Sequence, residues 1–248
     1  HATEHPFVST AVLLTAPCDV TALPGFQAGW VSVQDVAAQG VASLLALSPG
    51  LRVLDACAAP GGKTGHLLEQ EPQLKTCVAV DSDFQRLQRV KDTLMRLGVS
   101  ATVLQGDSSH PEQWWTGEAF DRILVDAPCS GSGVVRRHPD INLLRTAEAL
   151  QQSAAKQKLL LKALWPLLQP GGYLVYVTCS ILPQENDTVI AHFLADTSDA
   201  ECMPITLPWG HKRTHGWQVL PGEAEGDGFY YAVIRNTKER VCQKFSNG

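Results

Sequence analysis

Apolar and polar positions follow two different periods along the chain, and elements of the two kinds alternate between residues 51 and 195. Short runs rich in Val, Ile and Leu predict strands, and stretches with apolar residues every three or four positions predict helices. The predicted strands are Leu51–Asp55, Thr76–Asp81, Ala101–Gln105, Arg122–Asp126, Tyr173–Thr178 and a last one at Phe229–Arg235. The predicted helices are Val33–Leu47, Thr64–Gln70, Phe84–Leu97, about Thr146–Leu168 and Gln184–Leu194. Strand and helix therefore alternate, which is typical of an α/β fold whose mostly parallel sheet is covered on both faces.

The chain divides into three predicted parts. Residues 1–30 contain several prolines among short apolar runs and are expected to form a small N-terminal extension. Residues 31–240 form the α/β domain, and residues 241–248 form a tail that matches no pattern. Because the chain opens with His1 rather than Met, we expect it to be a piece of a longer protein.

Composition restricts the possible function classes only loosely. The chain has 248 residues and a formal net charge of −5, so the total charge does not indicate a strongly basic nucleic-acid binder. Its seven cysteines include no C-x-x-C pair, which argues against a zinc ribbon and favours a reducing, cytoplasmic environment. Histidine spacing predicts no metal site, and no apolar run is long enough to predict a membrane span.

The glycine-rich turn in Leu51–Leu68 (LRVLDACAAPGGKTGHLL) joins a strand to a helix and predicts a nucleotide-type binding site. A phosphate-loop NTPase is one alternative, since Gly62-Lys63-Thr64 ends such a motif. That motif requires a first glycine at position 57, where this chain has Cys57. The turn therefore favours a nucleoside ligand over a cradle for phosphates.

Carboxylates end the next two strands. Asp81 lies where an acidic residue binds ribose hydroxyls in nucleotide-binding α/β folds, although Asp81, Ser82 and Asp83 could equally cap the following helix. Asp107 lies where an adenine amino group could be bound, or it could cap the turn at Ser108-Ser109.

Two cysteines follow the next two strands. Cys129 lies in the loop DAPCSGSG that begins at Asp126, and Cys179 lies in the sequence TCS. A free cysteine is usually a small apolar residue of the core. Two of them at the ligand side of one sheet, beside a carboxylate, predict nucleophilic or acid–base chemistry. Arg136 and Arg137 come soon after and could contact phosphates, or could simply be solvated loop residues.

These motifs together resemble the S-adenosylmethionine-dependent RNA cytosine-C5 methyltransferases, and in particular the bacterial Sun/Fmu type that modifies 16S ribosomal RNA. The resemblance covers about residues 26–235 and rests on seven motifs: DACAAPGGKT, VD, GD, DAPCSGSG, RRHPD, TCS and DGFYYA. It implies a Rossmann-like class I methyltransferase fold with seven strands, the last one antiparallel. The Sun/Fmu type usually carries an N-terminal NusB-like RNA-binding domain, which this sequence lacks.

The resemblance also implies a role for each candidate residue. Cys179 would be the nucleophile that adds to carbon 6 of cytosine, Cys129 would assist product release, and Asp126 would bind the N3/N4 edge of the base. S-adenosylmethionine would be held by Cys57, Ala58, Ala59, Pro60, Gly61, Gly62, Lys63, Asp81, Asp107 and Asp126. Arg136, Arg137 and Lys63 would contact the RNA backbone.

The expected partner is 16S ribosomal RNA, either naked or in early assembly particles, and the protein is expected to be a cytoplasmic monomer without metal or membrane contact. Two alternatives remain at this point. One is a transfer-RNA cytosine-C5 methyltransferase of the same family, and the other is a non-catalytic ribosome-assembly factor that keeps the donor site.

Overall fold

The computed structural model describes residues 1–239, apart from the side chains of residues 142 and 144. The predicted tail 241–248 lies outside the described residues, as does residue 240 at the end of the predicted domain. The boundary of the N-terminal extension near residue 30 stays a prediction.

Two antiparallel strands, β1 (Ala2–Glu4) and β2 (Val12–Leu14), form a separate hairpin near the N-terminus. The other strands within residues 1–239 form one nine-stranded sheet in the order β5-β4-β3-β6-β7-β11-β10-β9, with β8 pairing to β11. These strands are β3 (Arg52–Asp55), β4 (Thr76–Asp81), β5 (Thr102–Gln105), β6 (Phe120–Asp126), β7 (Leu168–Thr178), β8 (Ala200–Met203), β9 (His211–Lys212), β10 (Trp217–Val219) and β11 (Phe229–Asn236).

The five strands β3 to β7 are parallel to one another, whereas β11 is antiparallel to β7. The predicted α/β architecture with an antiparallel last strand is therefore confirmed, but the expected count of seven strands was too low. The additional strands β8, β9 and β10 have two to four residues each. Segments that short have no period of their own in the sequence; β8 and β10 pair with β11, and β9 pairs with β10.

Six helices lie within the described residues: α1 (Val36–Leu44), α2 (Gly62–Gln70), α3 (Phe84–Leu97), α4 (Ile141–Leu144), α5 (Ala147–Leu164) and α6 (Asp187–Asp196). The prediction for α3 is confirmed at both ends, where Asp83 caps the N-terminus and Gly98 adopts a left-handed conformation. No helix was predicted for the segment that forms the short helix α4.

Several other predicted helix boundaries were wrong, and three of them have a clear local reason. Helix α1 starts only after Asp35, whose side chain accepts a hydrogen bond from the Ala37 N–H. Helix α5 stops at Leu164 and is followed by a 3-10 turn that contains Pro166, which has no N–H to continue an α-helix. Helix α6 begins at Asp187 rather than at Gln184, because a turn over residues 182–186 precedes it.

The two faces of the sheet carry alternate residues of each strand. On one face, Leu54, Ile123 and Tyr176 pack with apolar residues of α5 and α6. On the opposite face, neighbouring residues of the same strands pack with α1, α2 and α3. Since both faces are covered, the ligand side can only be the edge where the parallel strands end. The chain leaves β3 toward β5 and then returns to β6, so the topological switch point lies between β3 and β6.

The N-terminal segment packs against α3. The Arg96 guanidinium donates hydrogen bonds to the carbonyl oxygens of Phe26 and Val31 and to the Ser32 hydroxyl, and it lies 4.1 Å from the centre of the Phe26 ring. Gly29 has φ of +78° and passes so close that a Cβ there would lie 2.2 Å from the Arg96 carbonyl oxygen. This segment therefore contacts the outer face of α3, away from the strand ends.

Candidate active site

The turn between β3 and α2 brings the backbone close to α3 at Gly61. Gly61 has φ of +99° and precedes the first residue of α2. A Cβ at this position would lie 3.0 Å from the Val90 Cα, so a side chain would push against the backbone of α3. The glycines predicted in this turn thus have a steric reason: they let α2 begin immediately after β3 and leave the strand end open.

A cavity of about 380 Å³ opens at the carboxyl ends of β3, β4, β5 and β6. Seven of the predicted site residues line it: Cys57, Ala59, Asp81, Asp107, Asp126, Cys129 and Cys179. The predicted residues Ala58, Pro60, Gly61, Gly62 and Lys63 build the turn beside the cavity and are not among its lining residues. The carboxylates predicted to bind the donor and the two predicted cysteines therefore line the same cavity.

Asp81 and Asp107 hold their carboxylates differently. The Asp81 carboxylate is 4% exposed; its Oδ2 lies 3.3 Å from the Ala59 nitrogen, and the Arg86 guanidinium is 3.6 Å away. The capping role that Asp81 could have had belongs to Asp83, so Asp81 remains directed to the cavity.

Asp107 accepts hydrogen bonds from the Ser109 hydroxyl at 2.6 Å and from the Ser109 N–H at 2.9 Å. These hydrogen bonds lower the pKa of Asp107, which keeps this carboxylate ionised. Asp107 thus has the turn-capping contact considered from the sequence and also lines the cavity.

The two predicted cysteines meet at the ends of the adjacent strands β6 and β7. The Cys129 Sγ lies 3.5 Å from the Cys179 Sγ, within hydrogen-bonding distance for two sulfur atoms. A hydrogen bond from the Cys129 thiol lowers the pKa of Cys179, and the Lys63 ammonium acts in the same direction. The same contact together with burial raises the pKa of Cys129 well above its ordinary value. Cys179 is therefore the sulfur that ionises first, and thiolates rather than thiols are nucleophiles.

Lys63 forms an ion pair with Asp126 in which the Nζ and Oδ2 atoms are 2.7 Å apart. Burial on its own would lower the pKa of Lys63, but the charge of Asp126 and the hydrogen bond outweigh it and raise the pKa. The ammonium also lies 5.5 Å from the centre of the Phe229 ring. We expected Lys63 to contact the RNA backbone; its ammonium instead points to Asp126 beside the thiols, a position that does not support an RNA contact.

A second carboxylate at the end of β3 is completely buried. Asp55 accepts a hydrogen bond of 2.7 Å from the Thr64 hydroxyl, whereas its other oxygen has no hydrogen-bond partner among the described residues. Burial raises the pKa of Asp55 to about 7. The sequence analysis gave Asp55 only as the last residue of the first predicted strand and did not identify this environment.

Sequence reasoning also missed Glu185 and Asn186, which precede α6 and are completely or almost completely buried. Glu185 accepts hydrogen bonds from Ser130 and Ser180, the residues that follow the two cysteines. The only signal available in the sequence was the repetition of Cys-Ser after two strands, followed by an acidic and an amide residue before an apolar helix.

The comparisons with known proteins agree with this geometry. A family model described as 16S rRNA methyltransferase RsmB/F matches residues 42–235. The chain belongs to the RsmB/F family. This membership confirms the family resemblance that the motifs carry, and it supports S-adenosylmethionine as the cofactor.

The curated relatives match more than nine-tenths of this chain. The ribosomal RNA small subunit methyltransferase B of Pseudomonas syringae pv. tomato is 54% identical over 233 residues, which are 92% of this chain and 52% of that protein. The chain spans about half the length of the curated relatives it matches.

Solved structures confirm the fold of this RsmB/F family member. A methyltransferase homologue from Pyrococcus horikoshii is 31% identical with a TM-score of 0.82, over 95% of this chain and 78% of that chain. The structure of NSun6 from the same organism with SFG is 26% identical with a TM-score of 0.81, over 90% of this chain and 57% of that chain. The Rossmann-like methyltransferase fold predicted from the sequence is thereby confirmed.

The two arginines predicted to contact RNA lie in the loop between β6 and α4 of this family member. Arg136 donates a hydrogen bond of 3.0 Å to the Gly226 carbonyl oxygen, and Arg137 forms an ion pair with the buried Asp227. The Asp227 N–H in turn donates to the Asp35 carboxylate. Both arginine side chains are exposed at the surface, so their RNA contacts stay a prediction.

Within residues 1–239, no group of three or more His, Cys, Asp or Glu side chains could hold a metal ion. None of the helices in this part of the chain is both long and apolar enough to cross a membrane.

Proposed function

We propose that this chain transfers a methyl group from S-adenosylmethionine to carbon 5 of a cytosine in 16S ribosomal RNA, through a covalent bond between Cys179 and carbon 6 of the base. The observation that carries the proposal is the pair of thiols, 3.5 Å apart, in the same cavity as Asp81 and Asp107. A nucleophile beside a nucleoside site is what this reaction requires. Membership of the RsmB/F family supports the choice of substrate.

The residues of the cavity fit S-adenosylmethionine. Carboxylate oxygens accept hydrogen bonds, so Asp81 would bind the ribose hydroxyls and Asp107 would bind the adenine amino group. The open turn from Cys57 to Lys63 would hold the rest of the molecule, because its small residues leave the strand end accessible. When bound, S-adenosylmethionine supplies an electrophilic methyl group.

Cys179 would begin the reaction on the base. Carbon 5 of cytosine is a poor nucleophile, but addition of the Cys179 thiolate to carbon 6 breaks the C5–C6 double bond and moves its electron pair to carbon 5. The hydrogen bond from Cys129 and the nearby Lys63 ammonium favour the thiolate that this step needs. The buried environment also limits competing reactions with water.

Asp126 would select cytosine. Its carboxylate can accept a hydrogen bond from the exocyclic N4 amino group, which uracil lacks. The Lys63 ammonium, whose Nζ lies 2.7 Å from the Asp126 Oδ2, fixes the position of this carboxylate. The base would have to leave its stack to reach this edge.

Cys129 would act at the end of the reaction. Carbon 5 loses its proton to a base, the electron pair of that C–H bond restores the C5–C6 double bond, and Cys179 leaves as a thiolate. The Cys129 thiol already donates a hydrogen bond to the leaving sulfur, and a hydrogen bond to an anion is stronger than one to a neutral group. We therefore assign product release to Cys129 and RNA backbone contacts to Arg136 and Arg137. A ribosomal substrate would place the reaction in the cytoplasm.

Bisulfite sequencing of ribosomal and transfer RNA from cells with and without the gene tests the proposal. The expected result is one cytosine in 16S ribosomal RNA that is protected from bisulfite only when the gene is present. A protected transfer-RNA cytosine that disappears with the gene would instead identify the transfer-RNA alternative. Unchanged protection in both kinds of RNA would favour a non-catalytic factor and reject the proposal.

A further inference from the structure

The loops after β6 and β7 carry the same dipeptide, Cys129-Ser130 and Cys179-Ser180. The hydroxyls of both serines donate to one atom, Oε2 of Glu185, each at 2.6 Å. The Ser130 N–H donates to the other carboxylate oxygen at 2.7 Å. A single buried side chain thus holds the residue that follows each cysteine, although the two loops are 50 residues apart in the sequence.

Neighbouring hydrogen bonds fix the same two loops to each other and to the sheet. Asn186 accepts from the Thr178 hydroxyl at 2.6 Å and donates to the Ser180 carbonyl at 2.8 Å. The Ser132 hydroxyl lies 3.0 Å from the Ser180 hydroxyl and accepts from the Ile181 N–H. The loops therefore have few remaining degrees of freedom, and Glu185 is the group that both of them share.

Burying a carboxylate between two loops costs free energy. Glu185 is completely buried, and no Lys, Arg or His forms an ion pair with it within residues 1–239. Burying a carboxylate without a cation costs far more than burying a neutral amide. Glu185 receives four donors: two serine hydroxyls at Oε2, and the Ser130 N–H and the Gln157 side-chain amide at Oε1. Only a carboxylate accepts hydrogen bonds at both of its terminal atoms, so this set of donors from both loops matches an acidic side chain.

We propose that Glu185 is a positioning residue for the thiol pair: its carboxylate holds the two Cys-Ser loops so that the Cys129 thiol donates to the Cys179 sulfur. The catalytic meaning of this role rests on the proposed function, but the geometry does not. Cys179 also faces the charged groups Asp126 and Lys63, and Cys129 faces Glu185. By holding both loops, Glu185 keeps the two sulfur atoms 3.5 Å apart, the separation at which one thiol can donate a hydrogen bond to the other sulfur.

The test is the pH dependence of iodoacetamide alkylation at Cys179, followed by mass spectrometry of the peptide that contains it, with no RNA present. Cys129→Ala removes the hydrogen bond to Cys179. It should raise the pH midpoint of alkylation by about one unit, the largest shift expected among these variants. Glu185→Ala should produce most of that shift. Glu185→Gln keeps one oxygen that can accept from the serine hydroxyls but loses the acceptor of the Ser130 N–H, so it should reverse part of the shift. In a Cys129→Ala background, Glu185→Ala should cause no further shift.

Milder variants keep the test informative if Glu185→Ala does not fold. Ser130→Ala and Ser180→Ala each remove one hydroxyl that donates to Glu185. Each should raise the alkylation midpoint by a smaller amount. Glu201→Gln, an exposed position on β8, should leave it unchanged. The proposal is overturned if Cys129→Ala shifts the midpoint while neither serine variant nor Glu185→Ala does, or if Cys129→Ala itself causes no shift. Because alkylation needs no RNA, it can succeed even where methyl transfer to 16S ribosomal RNA fails.

Discussion

The two halves of the cavity are built in different ways. On the donor side, at the ends of β4 and β5, the carboxylates of Asp81 and Asp107 bond to backbone groups of short nearby turns. On the cysteine side, at the ends of β6 and β7, Glu185 joins side chains of two distant loops. The donor side therefore depends on individual residues, whereas the cysteine side depends on a network in which each member positions the others. Substitutions on the two sides should therefore impair different properties of the protein.

The largest effect should come from removing the nucleophile on the cysteine side. We expect Cys179→Ala to lower methyl transfer by at least about a thousandfold, because no other thiol in the cavity is held in its place. Donor affinity should stay unchanged, since Asp81 and Asp107 are untouched. Transfer of labelled methyl groups to 16S ribosomal RNA measures the first quantity, and calorimetry measures the second. The exposed Cys18→Ala serves as the control; substantial activity in Cys179→Ala would remove this residue from its role.

The buried carboxylate of Asp55 should make the stability of the donor side depend on pH. Its pKa is raised from 3.8 to about 7, so the folded protein keeps a proton that the unfolded chain releases between these values. Stability should fall as pH rises through this window, by at most about 4 kcal/mol, and be level below and above it. Asp55→Asn should flatten the curve of the unfolding free energy against pH, measured with urea at pH 5 and pH 8.

The exposed Asp92→Asn, on α3, is the matched control for Asp55→Asn and should keep the pH dependence of the unaltered protein. An equal loss of stability between pH 5 and pH 8 in the unaltered protein and in Asp55→Asn would mean that another group titrates in this range.

A single carboxylate should matter less on the donor side than the nucleophile does on the cysteine side. Asp81→Ala should weaken S-adenosylmethionine binding about tenfold to a hundredfold, the loss of one or two charge-assisted hydrogen bonds. The pH profile of Cys179 alkylation should not move, because Asp81 lies outside the thiol network. Asp83→Ala is the control: it removes the cap of α3 but leaves the cavity intact. Equal affinity of Asp81→Ala and the unaltered protein would reject the ribose role.

The smallest effect should come from the rim of the cysteine side. Arg136→Ala should weaken RNA binding only a few-fold and reduce the slope of log affinity against log salt by about one, as expected for one phosphate contact. Donor binding and Cys179 alkylation should both be unchanged. Filter binding at several salt concentrations measures the slope. An unchanged slope would mean that Arg136 keeps its hydrogen bond to the Gly226 carbonyl oxygen in the complex and does not contact the RNA.

The comparison also explains how far the sequence could lead. The strands from β3 to β7, both cysteines and the donor carboxylates were predicted, because each follows from a local period or from a residue at a strand end. Glu185 was missed because its partner Ser130 is brought close only by the parallel pairing of β6 and β7. Asn186 was missed because its contacts to Thr178 and Gln218 depend on the fold around the end of β7. Lys63 was expected to contact RNA from the family resemblance, whereas the fold directs its ammonium to Asp126. The burial of Asp55 likewise results from the layers on both sides of the sheet.

The central claim is that Cys179 forms a bond to the base and Cys129 releases it. The most direct measurement uses Cys129→Ala, incubated with S-adenosylmethionine and 16S ribosomal RNA and examined by denaturing electrophoresis. The account predicts a stable protein–RNA adduct that carries the transferred methyl group and is absent in the Cys129→Ala/Cys179→Ala double variant. A Cys129→Ala protein that releases methylated RNA at the normal rate without an adduct would contradict it.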